Sequence, residues 1–398
     1  MKTMEKINIT PADKILNLDK YIFVELDELK QEARSKGIDL IDLGIGNPDR
    51  PTPQYIVDET IKSIKNPKTH GYPDFRGKKE FQDAIKVWMK NRYNVDLDET
   101  FTAQAVNGGK EGIAHVSMAF TNPGDINIVP DPYYPVLSRA TWVAGAKVFH
   151  VPLKEENDFL PDLDSIPEDI ANEAKIFVIN YPNNPTGACA PKWFLEKLVQ
   201  FCRKHSILII SDLAYGEVCF DNYRPLSIFA IEGAQDVALE VHTCSKTFNM
   251  AGWRVGFVLG KRELVDTVFA MKLNFDYGTS TIMQDAAIAA MEMPYEYVEE
   301  TMTEYAKRRD FLVEEFAKLG WKTKKSNATM YLWLKVPNGM HSKDFCLKVM
   351  NETGVVFTPG MAFGAGSDGY FRVSLVQKME TLKAAIERLN KANIRYED

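Results

Sequence analysis

The stretch Lys175-Ile176-Phe177-Val178-Ile179-Asn180, followed by Pro191–Lys204 and then Ile207-Leu208-Ile209-Ile210-Ser211, decides the fold class of this 398-residue chain. Both short runs are apolar throughout rather than alternating, as strands buried on both faces of a parallel sheet are. The segment between them has helical length. Working outward, the texture repeats. Phe101–Val106, Ile126–Pro130 and Lys147–Val151 read as strands, with Lys110–Phe120 and Val136–Ala144 as helices between them. Val237–Thr243 and Val255–Leu259 are further strands downstream. This alternation predicts an α/β fold, a three-layer αβα large domain around a mostly parallel sheet. From about Tyr295 the long apolar runs stop. Glu296–Leu319 is a charged helix, and Met330–Lys335, Ser342–Asn351, Gly354–Phe357, Tyr370–Leu375 and Lys378–Ala392 mix strands and helices as in a smaller α+β domain. The expected division is 1–46 (N-terminal arm, with a helix at Val24–Lys36, and part of the small domain), 47–290 (large domain) and 291–398 (C-terminal small domain).

Composition excludes several classes. Forty-eight basic against 55 acidic residues leave a net charge of −7, which argues against nucleic acid as a partner. No apolar run approaches the roughly 18 residues of a membrane span. Residues 1–6 carry charge but no apolar stretch follows, so no secretory leader is expected. The five cysteines (Cys189, Cys202, Cys219, Cys244, Cys346) lack paired spacing, which suggests neither a disulfide framework nor a metal cluster and fits a reduced, cytoplasmic setting. There is no low-complexity tract and no internal repeat.

The chemistry gathers where the strands end, the place where open α/β sheets bind ligands. Thr243-Cys244-Ser245-Lys246 follows an apolar strand, with Arg254 beyond it. A lysine there can form a Schiff base when its surroundings depress its pKa, and hydroxyls with an arginine can hold a phosphate. Alone, such a lysine is an ordinary surface lysine. Asp212 and Tyr215 follow Ile207–Ser211; a buried aspartate needs a cation, such as a protonated pyridine nitrogen, although a helix-capping role is equally open. Asn180-Tyr181-Pro182-Asn183-Asn184-Pro185-Thr186-Gly187 follows another strand and either presents Asn184 rigidly or is a plain turn. Asn107-Gly108-Gly109-Lys110 opens a helix whose free N–H groups suit phosphate. Asp131-Pro132-Tyr133-Tyr134 offers a ring for stacking, or simple packing. Arg372, inside the apolar run Gly369–Leu375, takes either an internal carboxylate or that of a substrate. Taken together, these groups suit one ligand that combines a phosphate, a basic ring nitrogen, a ring oxygen and an aldehyde, which is pyridoxal 5′-phosphate.

On Asn184-Pro185-Thr186-Gly187, Asp212-Leu213-Ala214-Tyr215, Ser245-Lys246 and Phe371-Arg372, the chain resembles the fold-type I, class I/II pyridoxal-phosphate-dependent aminotransferases, from Tyr21 to the C-terminal helix. The resemblance implies that Lys246 joins the cofactor aldehyde and carries protons. Asp212 would hold the ring nitrogen, with Tyr215 and Asn184 on the ring oxygen and Tyr134 stacked on the ring. Gly109, Lys110, Thr243, Ser245 and Arg254 would surround the phosphate, joined by Tyr72 from the second subunit of a homodimer with shared active sites. Arg372 would bind the substrate α-carboxylate, with Tyr21, Gly46, Lys110 and Asn184 also contacting substrate. The peptide bonds before Pro132 and Pro185 would be cis. Tyr21-Ile22-Phe23, Lys110–His115 and Phe159–Asp164 are most similar to the LL-diaminopimelate aminotransferase group. That group implies amino transfer between LL-diaminopimelate and 2-oxoglutarate in lysine biosynthesis, by a ping-pong route. Two departures stand out. Phe275-Asp276-Tyr277-Gly278-Thr279 looks like the glutamate–pyruvate (alanine) aminotransferases, with Tyr277 where an Asn is found in some diaminopimelate enzymes. Gly108-Gly109 stands where serine or alanine is common. Alanine or aspartate amino transfer, and then a β-lyase reaction on the same fold, are the alternatives; a carboxylate held by Arg372 argues against decarboxylation. A non-catalytic regulator would need an added DNA-binding domain, for which the chain has neither the length nor a basic patch.

Overall fold

A computed structural model describes residues 9–16, 18, 20–337 and 339–396. The reading of residues 1–6 lies outside the described residues. Among the described residues twelve strands occur in chain order: β1 (Ile41–Asp42), β2 (Phe101–Val106), β3 (Ile126–Asp131), β4 (Lys147–Pro152), β5 (Ala174–Asn180), β6 (Leu208–Asp212), β7 (Ala238–Thr243), β8 (Gly256–Lys261), β9 (Tyr331–Lys335), β10 (Val355–Val356), β11 (Thr358–Pro359) and β12 (Tyr370–Ser374). Seven of them form the central sheet, in the order β2-β8-β7-β6-β5-β3-β4. Every pair in it is parallel except those of β8, which runs against both neighbours. The link from β7 to β8 holds only the short turns Cys244–Thr247 and Ala251–Trp253, with no crossover helix to carry the chain back to a parallel start.

The apolar runs are buried on both faces, as their composition predicts. Phe177, Ile179 and Ile209 pack with Phe194 and Leu198 of the helix Lys192–His205. Ile176, Val178 and Ile210 point the other way, against Ile113 and Val116 of the helix Gly109–Phe120 and Val265 and Val268 of Arg262–Phe275. Each such side chain contributes about 1.5–3 kcal/mol on burial. The helix–sheet–helix layering therefore follows from the residues themselves.

The remaining strands form two small sheets, β11-β12-β9 (antiparallel) and the parallel pair β1–β10. Pairing of Ile41 with Val355 brings the N-terminal segment onto the C-terminal part of the chain. Gly354–Phe357 is reduced to the two-residue β10, with β11 turned into the other sheet. Among the described residues no helix is long and apolar enough to cross a membrane. The bonds before Pro132 and Pro185 are cis, and so is the one before Pro182.

Candidate active site

Because β2, β3, β5, β6 and β7 are parallel, their last residues reach one edge of the sheet. The reversed β8 delivers to that edge the residues before its start rather than after its end, and Arg254, two residues before Gly256, is one of them. A cavity of about 390 Å³ opens there, bounded by Gly109, Lys110, Tyr134, Asn184, Asp212, Tyr215, Thr243, Ser245, Lys246 and Arg254, with Tyr21, Gly46 and Arg372 closing it from the other side. Thus the structure gathers every residue of the expected site except Tyr72. That ring is 85% exposed and lies 4.8 Å from Tyr277, outside the cavity.

Asp212 ends the fully buried β6 and keeps 5% exposure. Its Oδ1 accepts the Ala214 N–H at 3.1 Å, and among the described residues it has no lysine or arginine partner. Burial pushes its carboxyl up to about 6, opposed by the Ala214 hydrogen bond and by His242. A buried acid without a cation is suited to a cationic ligand atom. Lys246 is half-buried, and its Nζ donates to Gly46 O at 2.5 Å. Burial pushes this ammonium below its ordinary 10.5; Arg372 and Arg254 add to the shift and Tyr331 opposes it. A depressed lysine is a better nucleophile and proton carrier at neutral pH.

Arg372, in the middle of β12, is 2% exposed and has no carboxylate partner among the described residues. Nη1 donates to Asn184 Oδ1 and Nη2 to Gly44 O, each at 2.8 Å. Nε is buried and donates to nothing. The guanidinium sits 4.0 Å from the Tyr331 ring centroid and 4.7 Å from that of Phe363. An arginine kept in the core without an anion points to one that arrives with a ligand. Asn184 gives its oxygen to Arg372, so its amide N–H₂ is left to donate in another direction. Its backbone N–H is held by Asn180 Oδ1 at 2.9 Å.

The opposite end of the cavity is built for an anion. Thr243 Oγ1 caps Ser245 N at 3.2 Å and meets Ser245 Oγ at 2.8 Å. Arg254 reaches Ala251 O at 2.8 Å and Asn107 O at 3.3 Å through neutral carbonyls, which leaves its charge uncompensated. Gly108 has φ 90°, and a Cβ there would lie 2.5 Å from Arg254 Nη2. Close approach of Arg254 and the positive φ hold Gly108 to glycine, whereas a Cβ on Gly109 would meet nothing nearer than Val241 at 3.5 Å, so nothing in the structure requires glycine there; the backbone donors of the loop remain.

Behind this loop the buried Lys272 donates to Glu111 Oε1 and Asp276 Oδ2, both at 2.8 Å, while Asn107 Nδ2 donates to Asp276 Oδ2 at 3.1 Å. Burial, with Asp276 adding, pushes Glu111 up to about 7 against the pull of Lys272. Glu111, His115 and Asp276 stand close enough to hold a cation, and Lys272 already supplies one. Asp276 is thereby a tie between the Asn107–Gly109 loop and the Tyr277 segment. Replacing Lys272 by methionine strands two acids without their partner. It is expected to cost about 3 kcal/mol in chemical denaturation. A midpoint equal to wild type would refute this account.

Sequence reasoning missed Tyr331 and Asn180. Tyr331 begins β9 and reaches the cavity only because the small sheet packs on the sheet edge, so no local motif marks it. Asn180 lies within the quoted turn segment, and its position at the end of β5 was the available signal.

A mostly parallel sheet thus brings a lysine and a buried acid to one edge, facing an arginine of the small sheet that has no carboxylate partner among the described residues. Residues 38–389 match the family model "Aminotransferase class I and II", and the chain belongs to that family. It is 47% identical to the LL-diaminopimelate aminotransferase of Aquifex aeolicus over 95% of this chain and 98% of that one, and 44% identical to that of Halothermothrix orenii over 97% and 99%. Among solved structures, the substrate-bound BacF of Bacillus subtilis superimposes with a TM-score of 0.93 at 35% identity, covering 98% of this chain and all of the other.

Proposed function

We propose that this aminotransferase uses pyridoxal 5′-phosphate to move an amino group between LL-diaminopimelate and 2-oxoglutarate in lysine biosynthesis. The observation that carries the reading is the buried Arg372, unmatched by any acid among the described residues, facing Lys246 across a cavity floored by Asp212, which has no lysine or arginine partner among them. The choice of amino donor is supported by the names of the curated relatives. The residues present fit the cofactor: Asp212 for the ring nitrogen, Tyr215 and the free amide of Asn184 for the ring oxygen, Tyr134 for the ring face, and Gly109, Thr243, Ser245 and Arg254 for the phosphate. When bound, pyridoxal phosphate supplies an aldehyde for lysine and an aromatic system that accepts the electron pair left at the substrate α-carbon.

The protein's own groups do the rest. Arg372 receives the α-carboxylate through Nε and a guanidinium nitrogen and keeps it bound, so the bond to hydrogen rather than that to the carboxylate is the one broken. Lys246, neutral in a larger fraction than an exposed lysine, would take the substrate α-proton on its Nζ and carry it within the cavity. Asp212, desolvated, holds its positive partner strongly because no water competes. Tyr21 stands at the distal end of the cavity, its hydroxyl paired with Tyr134 and 3.5 Å from Lys110 Nζ, where the far end of a long substrate would lie. A homodimer is part of this reading: Tyr72 and Tyr277 lie against each other outside this chain's cavity and would serve the neighbouring one. The five free cysteines accord with a reducing, cytoplasmic setting.

The test is a panel of half-reactions followed by cofactor absorbance. LL-diaminopimelate and glutamate are expected to convert the aldehyde form to the amine form fastest. Faster conversion by alanine would favour the glutamate–pyruvate reading suggested by Phe275–Thr279. Release of pyruvate and ammonia with return of the aldehyde form would mean a β-lyase.

A further inference from the structure

We propose that Tyr331 is a positioning residue that couples the carboxylate fork to the ring-oxygen donor of the cofactor. This inference rests on the pyridoxal-phosphate reading above. Tyr331 opens β9, on a different sheet from the strand ends that build the cavity floor, and is 2% exposed. Its hydroxyl lies 3.0 Å from that of Tyr215, and the two rings meet edge to face at 5.8 Å. Its ring carries the Arg372 guanidinium at 4.0 Å. Its hydroxyl also borders the Lys246 side: a Cβ on Gly46, whose carbonyl oxygen holds Lys246 Nζ, would lie 2.5 Å from the Tyr331 oxygen. One phenol therefore touches the groups assigned to the carboxylate, to the ring oxygen and, through Gly46, to the lysine.

The direction of the Tyr215–Tyr331 hydrogen bond follows from counting protons. A phenol has a single O–H to donate. If Tyr215 spends its proton on the cofactor ring oxygen, Tyr331 must donate to Tyr215. Donation to Tyr215 polarises the Tyr215 O–H and strengthens its own bond to the ring oxygen. The Arg372 cation against the Tyr331 ring favours that donation. The Tyr331 phenol is held below its ordinary value: burial pushes it up, and the Arg372 and Lys246 cations pull it down, in keeping with a polarised O–H. Phe363, whose ring centroid lies 4.7 Å from the same guanidinium, presents no hydroxyl and cannot substitute.

The experiment is a pH titration of the absorbance of the lysine-joined cofactor in the wild type, Tyr331→Phe, Tyr215→Phe and the double variant. Phenylalanine keeps the ring under Arg372, so the fold and the guanidinium support are retained, and the melting curve of each variant checks this. A weaker bond to the ring oxygen disfavours the unprotonated lysine-joined form. The titration midpoint of Tyr331→Phe is therefore expected to rise by about half a pH unit, a fraction of one hydrogen bond. In the Tyr215→Phe background the same change is expected to move it no further. An unmoved midpoint in Tyr331→Phe, or equal shifts in both backgrounds, would overturn the role. A wild type with no lysine-joined absorbance would instead overturn the cofactor reading itself, so the two failures are distinguishable.

Discussion

Replacing Lys246 by alanine is expected to leave a folded protein that has lost turnover by more than about 10⁴-fold, since proton transfer by a positioned group alone supplies about 10²–10⁴ and the covalent role is lost with it. Folding should survive because the half-buried side chain gives up one hydrogen bond, to Gly46 O, and with it a cation that burial disfavours. Two measurements check this together. The absorbance of lysine-joined cofactor should vanish, and the thermal melt of the cofactor-free protein should stay near that of the wild type. Amino transfer at close to the wild-type rate would sink the assignment of Lys246.

Asp212→Asn should separate activity from stability. An amide cannot carry the negative charge that a ring cation needs, and removal of one buried electrostatic partner typically lowers kcat by about 10²–10³-fold. The stability of the cofactor-free protein should move the opposite way. The folded-state pKa of Asp212 is raised from 3.8 to about 6, so the folded protein binds the proton more tightly than the unfolded chain does. The penalty for ionising it is absent below about pH 4, grows through the window up to about 6, and is complete above that. Two units correspond to about 3 kcal/mol at neutral pH, which the asparagine variant would not lose. Denaturation of the cofactor-free proteins as a function of pH tests this. The wild type should weaken between about pH 4 and 6 more steeply than the variant, and parallel curves would refute it. Such a cost at the floor of the cavity is the price of a site made ready for a cation.

Much of this was legible in the residues. The apolar runs Lys175–Asn180 and Ile207–Ser211 read as strands buried on both faces, and Phe177 with Ile209 on one side and Ile176 with Ile210 on the other are packed as that reading requires. The strand-end motifs carrying Asn184, Asp212, Tyr215 and Lys246 were visible because parallel strands bring their carboxyl ends to one edge, so sequence order alone implies convergence. The reversal of β8 was not visible. Apolar composition carries no strand direction, and only the absence of a crossover helix after Thr243 betrays it. Even so, the reversal is what sets Arg254 beside Gly108.

The sequence by itself determined the class of fold, the lysine, the acid and the arginine, because each is dictated by local composition or by the chemistry of a strand end. Only the tertiary structure shows Arg372 without a carboxylate partner among the described residues, its Nη1 turned instead to Asn184 in the loop after β5. It alone brought Tyr331 to Tyr215 and Lys272 between Glu111 and Asp276. Contacts of this kind join residues 116 and 161 positions apart, and no periodicity or motif reports which distant side chains meet once the sheets have packed.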